Sequence, residues 1–107
     1  MGTAGRKKEQ FMALVEPSTL DRLDALRVVL WASRAEINRQ ALEGGGLAAL
    51  EAEHAAKLAR LGNIVERAAV ETPAYFVRHL VAGRQRVPQL EELEKMNRTQ
   101  LRQLLKP

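Results

Sequence analysis

The residues best able to do chemistry are few. His54 and His79 are the only histidines and there is no cysteine, so thiolate chemistry and disulfides are excluded. Without cysteines or a His-x-x-x-His pair, the two imidazoles make no recognisable metal site. His54 falls in a helical apolar stripe and His79 stands next to Leu80, so both read as partly buried structural residues. Glu91, Glu92 and Glu94 cluster at helical spacing, the pattern of a solvated helix face. Gly44, Gly45 and Gly46 lack the downstream Lys-Ser/Thr of a phosphate-binding loop and follow a helix instead of a strand. No nucleophile stands beside a plausible base. The chain is not expected to be an enzyme, and no metal or cofactor is expected.

What remains is charge. The net charge is +4 with a pI near 10.0. The excess sits at the ends: residues 1–42 hold seven basic and five acidic residues, residues 43–82 four and five, and residues 83–107 six and three. Basic ends on a neutral middle fit contact with a polyanion, most often nucleic acid. Solvated lysines and arginines on a basic protein are the plainer alternative.

A chain of 107 residues is one small domain, or a smaller one with an appendage, and oligomerisation is a common way for such a chain to bury more surface. No apolar run approaches membrane-spanning length and no signal peptide is read, so no membrane contact is expected and a reducing cytoplasm is the expected compartment.

The elements that must position the charges are mostly helical. Residues 1–8, MGTAGRKK, read as a flexible basic arm. Residues 10–15 are predicted as a strand, with Phe11, Ala13 and Val15 on one face and Gln10, Met12 and Leu14 on the other. Pro17 suits a helix's first turn, and a helix is predicted from about Ser18 to Leu30 on the stripe Leu20, Leu23, Leu26 and Leu30. Ser33 to Glu36 has the form of a reciprocal capping box, opening a second helix with Ile37 and Ala41 on one face and Leu42 beside them, which the three glycines end. One helix is then predicted from Leu47 to about Val70, with Gly62–Asn63 as the point of any bend or break. Thr72–Pro73 looks like a cap and first-turn proline before a short helix to Gly83. Residues 84–88, RQRVP, read as a basic loop, and a last helix from about Gln89 to Leu105 is expected to break near Asn97–Arg98.

A lone strand leaves its backbone groups unpaired, which is costly if they are buried. A second copy of residues 10–15, paired antiparallel across a two-fold axis, would satisfy them. The resulting ribbon has the right width for the DNA major groove.

The stretches QFMALVEPSTLDRLDAL and WASRAEINRQAL resemble the ribbon-helix-helix DNA-binding family of the Arc, MetJ and CopG type, over roughly Lys8 to Leu42. The resemblance implies a mainly α fold. Residues 9–43 would form a ribbon-helix-helix dimerisation and DNA-binding unit with an intermolecular two-stranded antiparallel sheet, and residues 47–107 a helical C-terminal region. It further implies a groove-facing triplet of Gln10, Met12 and Leu14, phosphate contacts from Lys7, Lys8, Ser33 and Arg34, and a dimer core of Phe11, Ala13, Val15, Leu20, Leu23 and Ile37. Family members usually place polar residues on the groove face. Met12 and Leu14 cannot bond to base edges, so binding led by phosphates and DNA shape is expected first. A one-residue register shift or a ribbon that only dimerises follow in that order. A glycine is also common in the family's inter-helix turn, where this chain has Trp31, expected to pack between the helices.

Residues 57–69, KLARLGNIVERAA, have a looser likeness to accessory proteins of plasmid mobilisation, through Leu58, Leu61, Gly62 and Asn63; an ordinary helix with a glycine bend reads equally well. The leading expectation is a double-stranded DNA-binding homodimer serving a plasmid or mobile element, as relaxosome accessory protein or transcriptional autorepressor. The alternatives are an antitoxin of a toxin–antitoxin pair and a helical protein-interaction module that does not bind DNA. A relaxase or toxin would engage residues 47–107, and an oligomer beyond the dimer is left open.

Overall fold

The computed structural model describes residues 17–84 and 86–106. Among them are seven helices: α1 (Pro17–Leu30), α2 (Arg34–Glu43), α3 (Leu47–Glu53), α4 (Ala55–Ala68), α5 (Pro73–Val81), α6 (Leu90–Glu94) and α7 (Arg98–Leu104). The mainly α class is observed, and no strand occurs among the described residues. The strand predicted over residues 10–15 lies outside them, and the intermolecular sheet with it.

The core gathers around α1, which packs against α2, α4 and α5. Its predicted stripe is present, with Leu23 and Leu26 buried and Leu20 and Leu30 lying against them. Val28 and Val29 are buried as well, so α1 is apolar around much of its girth, as befits a helix covered on several sides. α5 brings Phe76, Val77 and Leu80 onto it, and α4 brings Leu61, Ile64, Val65 and Ala68.

The caps explain where the helices begin. The Thr72 hydroxyl accepts from the Tyr75 N–H at 3.0 Å with Pro73 opening α5, as predicted. The Ser33 hydroxyl accepts from the Glu36 N–H at 3.1 Å, but the expected return bond from the Glu36 carboxylate is missing. That carboxylate instead binds the Arg39 guanidinium and the Gln40 amide, because a charged donor one turn along outbids a neutral N–H. A full reciprocal box occurs at α7: Asn97 Oδ1 accepts from the Gln100 N–H at 2.8 Å and Gln100 Oε1 from the Asn97 N–H at 2.9 Å. It divides α6 from α7 where the break was expected.

The long helix predicted over 47–70 breaks at His54, not at Gly62–Asn63. His54 alone leaves helical geometry (φ −112°, ψ 26°), its N–H still reaching the Leu50 carbonyl at 3.2 Å. α3 packs on α2 whereas α4 packs on α1, α6 and α7, so the chain must turn between them. The tertiary contacts therefore set the position of the bend, overriding the local weakness of glycine. The apolar stripe survives it, with Leu50 buried before the bend and Leu61 after it.

Ion pairs between elements fasten the helices at their edges. Asp21 on α1 receives Arg78 of α5 through two bonds of 2.8 Å, Glu51 on α3 receives Arg22 Nε of α1 at 3.0 Å, and Glu94 on α6 receives Arg60 Nε of α4 at 3.0 Å. Hydrogen bonding to these guanidinium groups holds all three carboxyls below their ordinary values.

Two outcomes are expected. Gly62 sits inside α4 and an added Cβ there would meet nothing within 4 Å, so Gly62→Ala should stabilise the chain by about 0.5–1 kcal/mol in urea denaturation. The three carboxyls titrate lower in the folded chain than in the unfolded one. Their contribution is thus fully present above the ordinary carboxylate range and is lost as pH falls through the depressed values. The urea midpoint should decline below about pH 4, and Asp21→Asn should shallow that decline.

Candidate nucleic-acid interface

α1 ends in a left-handed turn whose geometry is set by a hydrogen bond from the Ala32 N–H to the Arg27 carbonyl at 3.1 Å. The residue at the turn is Trp31, with φ +53°. Glycine is the usual occupant, and a side chain there costs about 1–2 kcal/mol. Trp31 does not pack between the helices as expected; its side chain turns outward and the residue is 43% exposed. The indole N–H donates to the Val87 carbonyl at 2.6 Å, and the Arg86 guanidinium lies 5.2 Å from the ring centroid. Val87 is buried, so the basic loop is anchored to the core instead of hanging in solvent. Trp31 acts as a strut between the α1–α2 turn and that loop.

Arg27, Trp31, Ala32, Ser33, Arg86 and Val87 line an open cleft of about 280 Å³. Among the described residues no carboxylate lines it. Ser33 is the N-cap of α2, so the positive end of that helix borders the same space. Two guanidinium groups, a helix start and an exposed indole thus share one opening, an arrangement suited to an anion carried on a larger ligand. Glu92 borders the far side of Arg86, in the neighbouring recess.

Arg34 has a prior commitment. Asp24 is buried on α1, and Arg34 donates to it from Nε at 3.2 Å and from Nη2 at 2.9 Å to each oxygen. The residue expected to contact phosphate is therefore first the tie between α1 and α2, with Nη1 outside that set of bonds. Ser33, also expected to meet phosphate, spends its hydroxyl on the cap but lines the cleft. Lys7, Lys8, Gln10, Phe11, Met12, Ala13, Leu14 and Val15 lie outside the described residues. Of the expected dimer core, Leu23 and Ile37 are buried and Leu20 half-buried within the single chain.

Sequence reasoning passed over Arg27, which stands in the last turn of α1 and reaches the cleft only because the chain turns sharply at Trp31. It also took both histidines as partly buried. His54 is so, but His79 is exposed, its ring stacked on Tyr75 with centroids 4.0 Å apart. The Glu91–Glu94 cluster is not wholly solvated either, since Glu94 holds Arg60. Among the described residues no group of His, Asp or Glu could hold a metal ion, and no helix is long and apolar enough to cross a membrane. Comparisons with protein-family models, curated proteins and solved structures give no match.

Removing Arg34 would leave the Asp24 carboxylate buried without its partner. Arg34→Gln should lower stability by about 2 kcal/mol in urea denaturation, the half-exposed guanidinium keeping the loss below that of a fully buried broken pair.

Proposed function

We propose that the chain is a homodimer that binds double-stranded DNA, serving a plasmid or other mobile element as a mobilisation accessory protein or autorepressor. In this reading residues 10–15 of two copies pair as a ribbon against the groove, with Lys7 and Lys8 beside it. The Trp31 cleft receives backbone phosphate. The observation that supports it is the cleft that holds Arg27 and Arg86 at the start of α2, lined by no carboxylate among the described residues. Each guanidinium that neutralises a phosphate releases condensed counterions, which gives affinity without base readout. That mode suits a ribbon face carrying Met12 and Leu14, which can touch thymine methyls but not hydrogen-bond to bases. The indole face under Arg86 restrains the guanidinium, for about 0.5–1 kcal/mol at an exposed site, so less freedom is lost on binding.

A second reading, a helical protein-interaction module, draws on a groove whose apolar lining includes Leu58, Leu61 and Val77, with the charged Asp21, Arg22 and Glu51 also lining it. The two part company on salt. On a short random-sequence duplex, the logarithm of affinity should fall linearly with the logarithm of salt concentration. Arg27→Gln with Arg86→Gln should reduce that slope by about 1.8, one phosphate contact each. Gln10→Ala should change sequence preference and leave the slope alone. Duplex retention that ignores salt, or no retention at all, would favour the interaction module.

A further inference from the structure

Arg22, Arg34, Arg39, Arg60 and Arg78 are each neutralised by a carboxylate. Arg67, Arg98 and Arg102 are handled differently: their guanidinium groups donate to backbone carbonyls where α4, α6 and α7 meet, with the Glu94 carboxylate also near enough to Arg67 for the two charges to attract. Arg102 Nη1 donates to the Ala68 and Ala69 carbonyls at 3.2 and 2.9 Å, and Arg98 Nε to the Arg67 carbonyl at 3.3 Å, so α7 closes the end of α4. Arg67 Nη1 in turn donates to the Glu94 and Met96 carbonyls at 2.6 and 3.1 Å, closing the end of α6.

A carbonyl fixes the direction of a guanidinium without cancelling its charge. Each of the three keeps further N–H groups outside these bonds. All three residues are exposed. Arg98 and Arg102 lie one turn apart on the same face of α7, with Cβ atoms about 5–6 Å apart. Beside them Tyr75, Glu71, Arg102 and Lys106 line a cleft of about 270 Å³, in which Glu71 is the single acidic side chain among the described residues. Tyr75 presents part of its ring there, steadied from behind by His79.

We infer that the junction of α4 and α7 is a second anion-binding face, with Arg67, Arg98, Arg102 and Lys106 receiving the phosphate backbone of a nucleic acid. Pre-aimed guanidinium forks suit phosphate oxygens. An aromatic ring beside them suits a nucleobase, which an acidic protein surface would not supply. The face is separate from the Trp31 cleft and shares with the preceding reading only the class of partner.

The test measures binding against salt for the whole chain, on a short random duplex, a single strand of the same length and polyglutamate. Arg98→Gln with Arg102→Gln should reduce the salt slope by about 1.8 on the duplex or about 1.4 on the single strand, and the form that shows its own full loss is the form bound. Because these arginines also hold α7 to α4, Lys106→Gln serves as the variant that leaves the helix ends alone. It should reduce the slope by about 0.9 on a duplex with the thermal midpoint unchanged. Unchanged slopes in both variants would overturn the inference, as would an unchanged Lys106→Gln slope should the double variant unfold. A loss confined to polyglutamate would overturn it in favour of an acidic protein. Arg27→Gln with Arg86→Gln is the companion arm: a loss there alone leaves the Trp31 cleft standing and removes this face. A loss at Arg98 and Arg102 alone does the reverse, and a wild-type chain that binds neither nucleic acid overturns both.

Discussion

Asp24 lies buried on α1, the helix against which α2, α4 and α5 pack, and Arg34 reaches it from the first turn of the next helix. A carboxylate taken out of water demands a partner, and a guanidinium meeting both oxygens is the geometry that satisfies it best. That demand fixes how α2 leaves α1. With the two helices held so, the chain between them has room only for a tight left-handed turn, and Trp31 occupies it at φ +53°. The outward indole then finds the Val87 carbonyl and Arg86, and the basic loop is drawn beside Arg27 and Ser33. The candidate interface is thus a consequence, several contacts removed, of one buried acid.

The arginines divide by what they meet. Of those bound to carboxylates, Arg22, Arg34, Arg60 and Arg78 fasten helix to helix, and Arg39 pairs within α2. Those at the ends of α4, α5 and α6 meet carbonyls: Arg84, for instance, bonds to Leu80 and Leu104 where α5 and α7 close. Cations there complement the negative ends of the helix dipoles while remaining positive to an approaching anion. Among the described residues, Arg27 and Arg86 share one opening and Arg102 and Lys106 another. Leu23 and Ile37 meanwhile are buried within one chain, so a dimer of the proposed kind would form with that core already closed.

Much of the local structure was legible. Thr72–Pro73, Ser33 and the glycine run announced helix boundaries through side chains that satisfy the open backbone groups there, and those interactions span only three or four residues. The leucine spacings marked which faces are buried for the same reason. Two local signals misled. Gly62 looked like the weak point of a long helix, yet the bend fell at His54, where packing partners change. Ser33–Glu36 looked like a reciprocal box, yet Arg39 took the carboxylate.

By itself the sequence determined the mainly helical class, most of the helix ends and the surplus of positive charge, since these follow from propensity, periodicity and composition along a few turns of chain. Only the tertiary structure decided that Arg34 serves a buried Asp24, that Trp31 faces outward to a loop 56 residues away, and that Arg98 and Arg102 reach the carbonyls ending α4 while Arg67 reaches those ending α6. Those pairings join residues far apart in the chain, and no local pattern records which distant group will arrive to satisfy a donor or an acceptor.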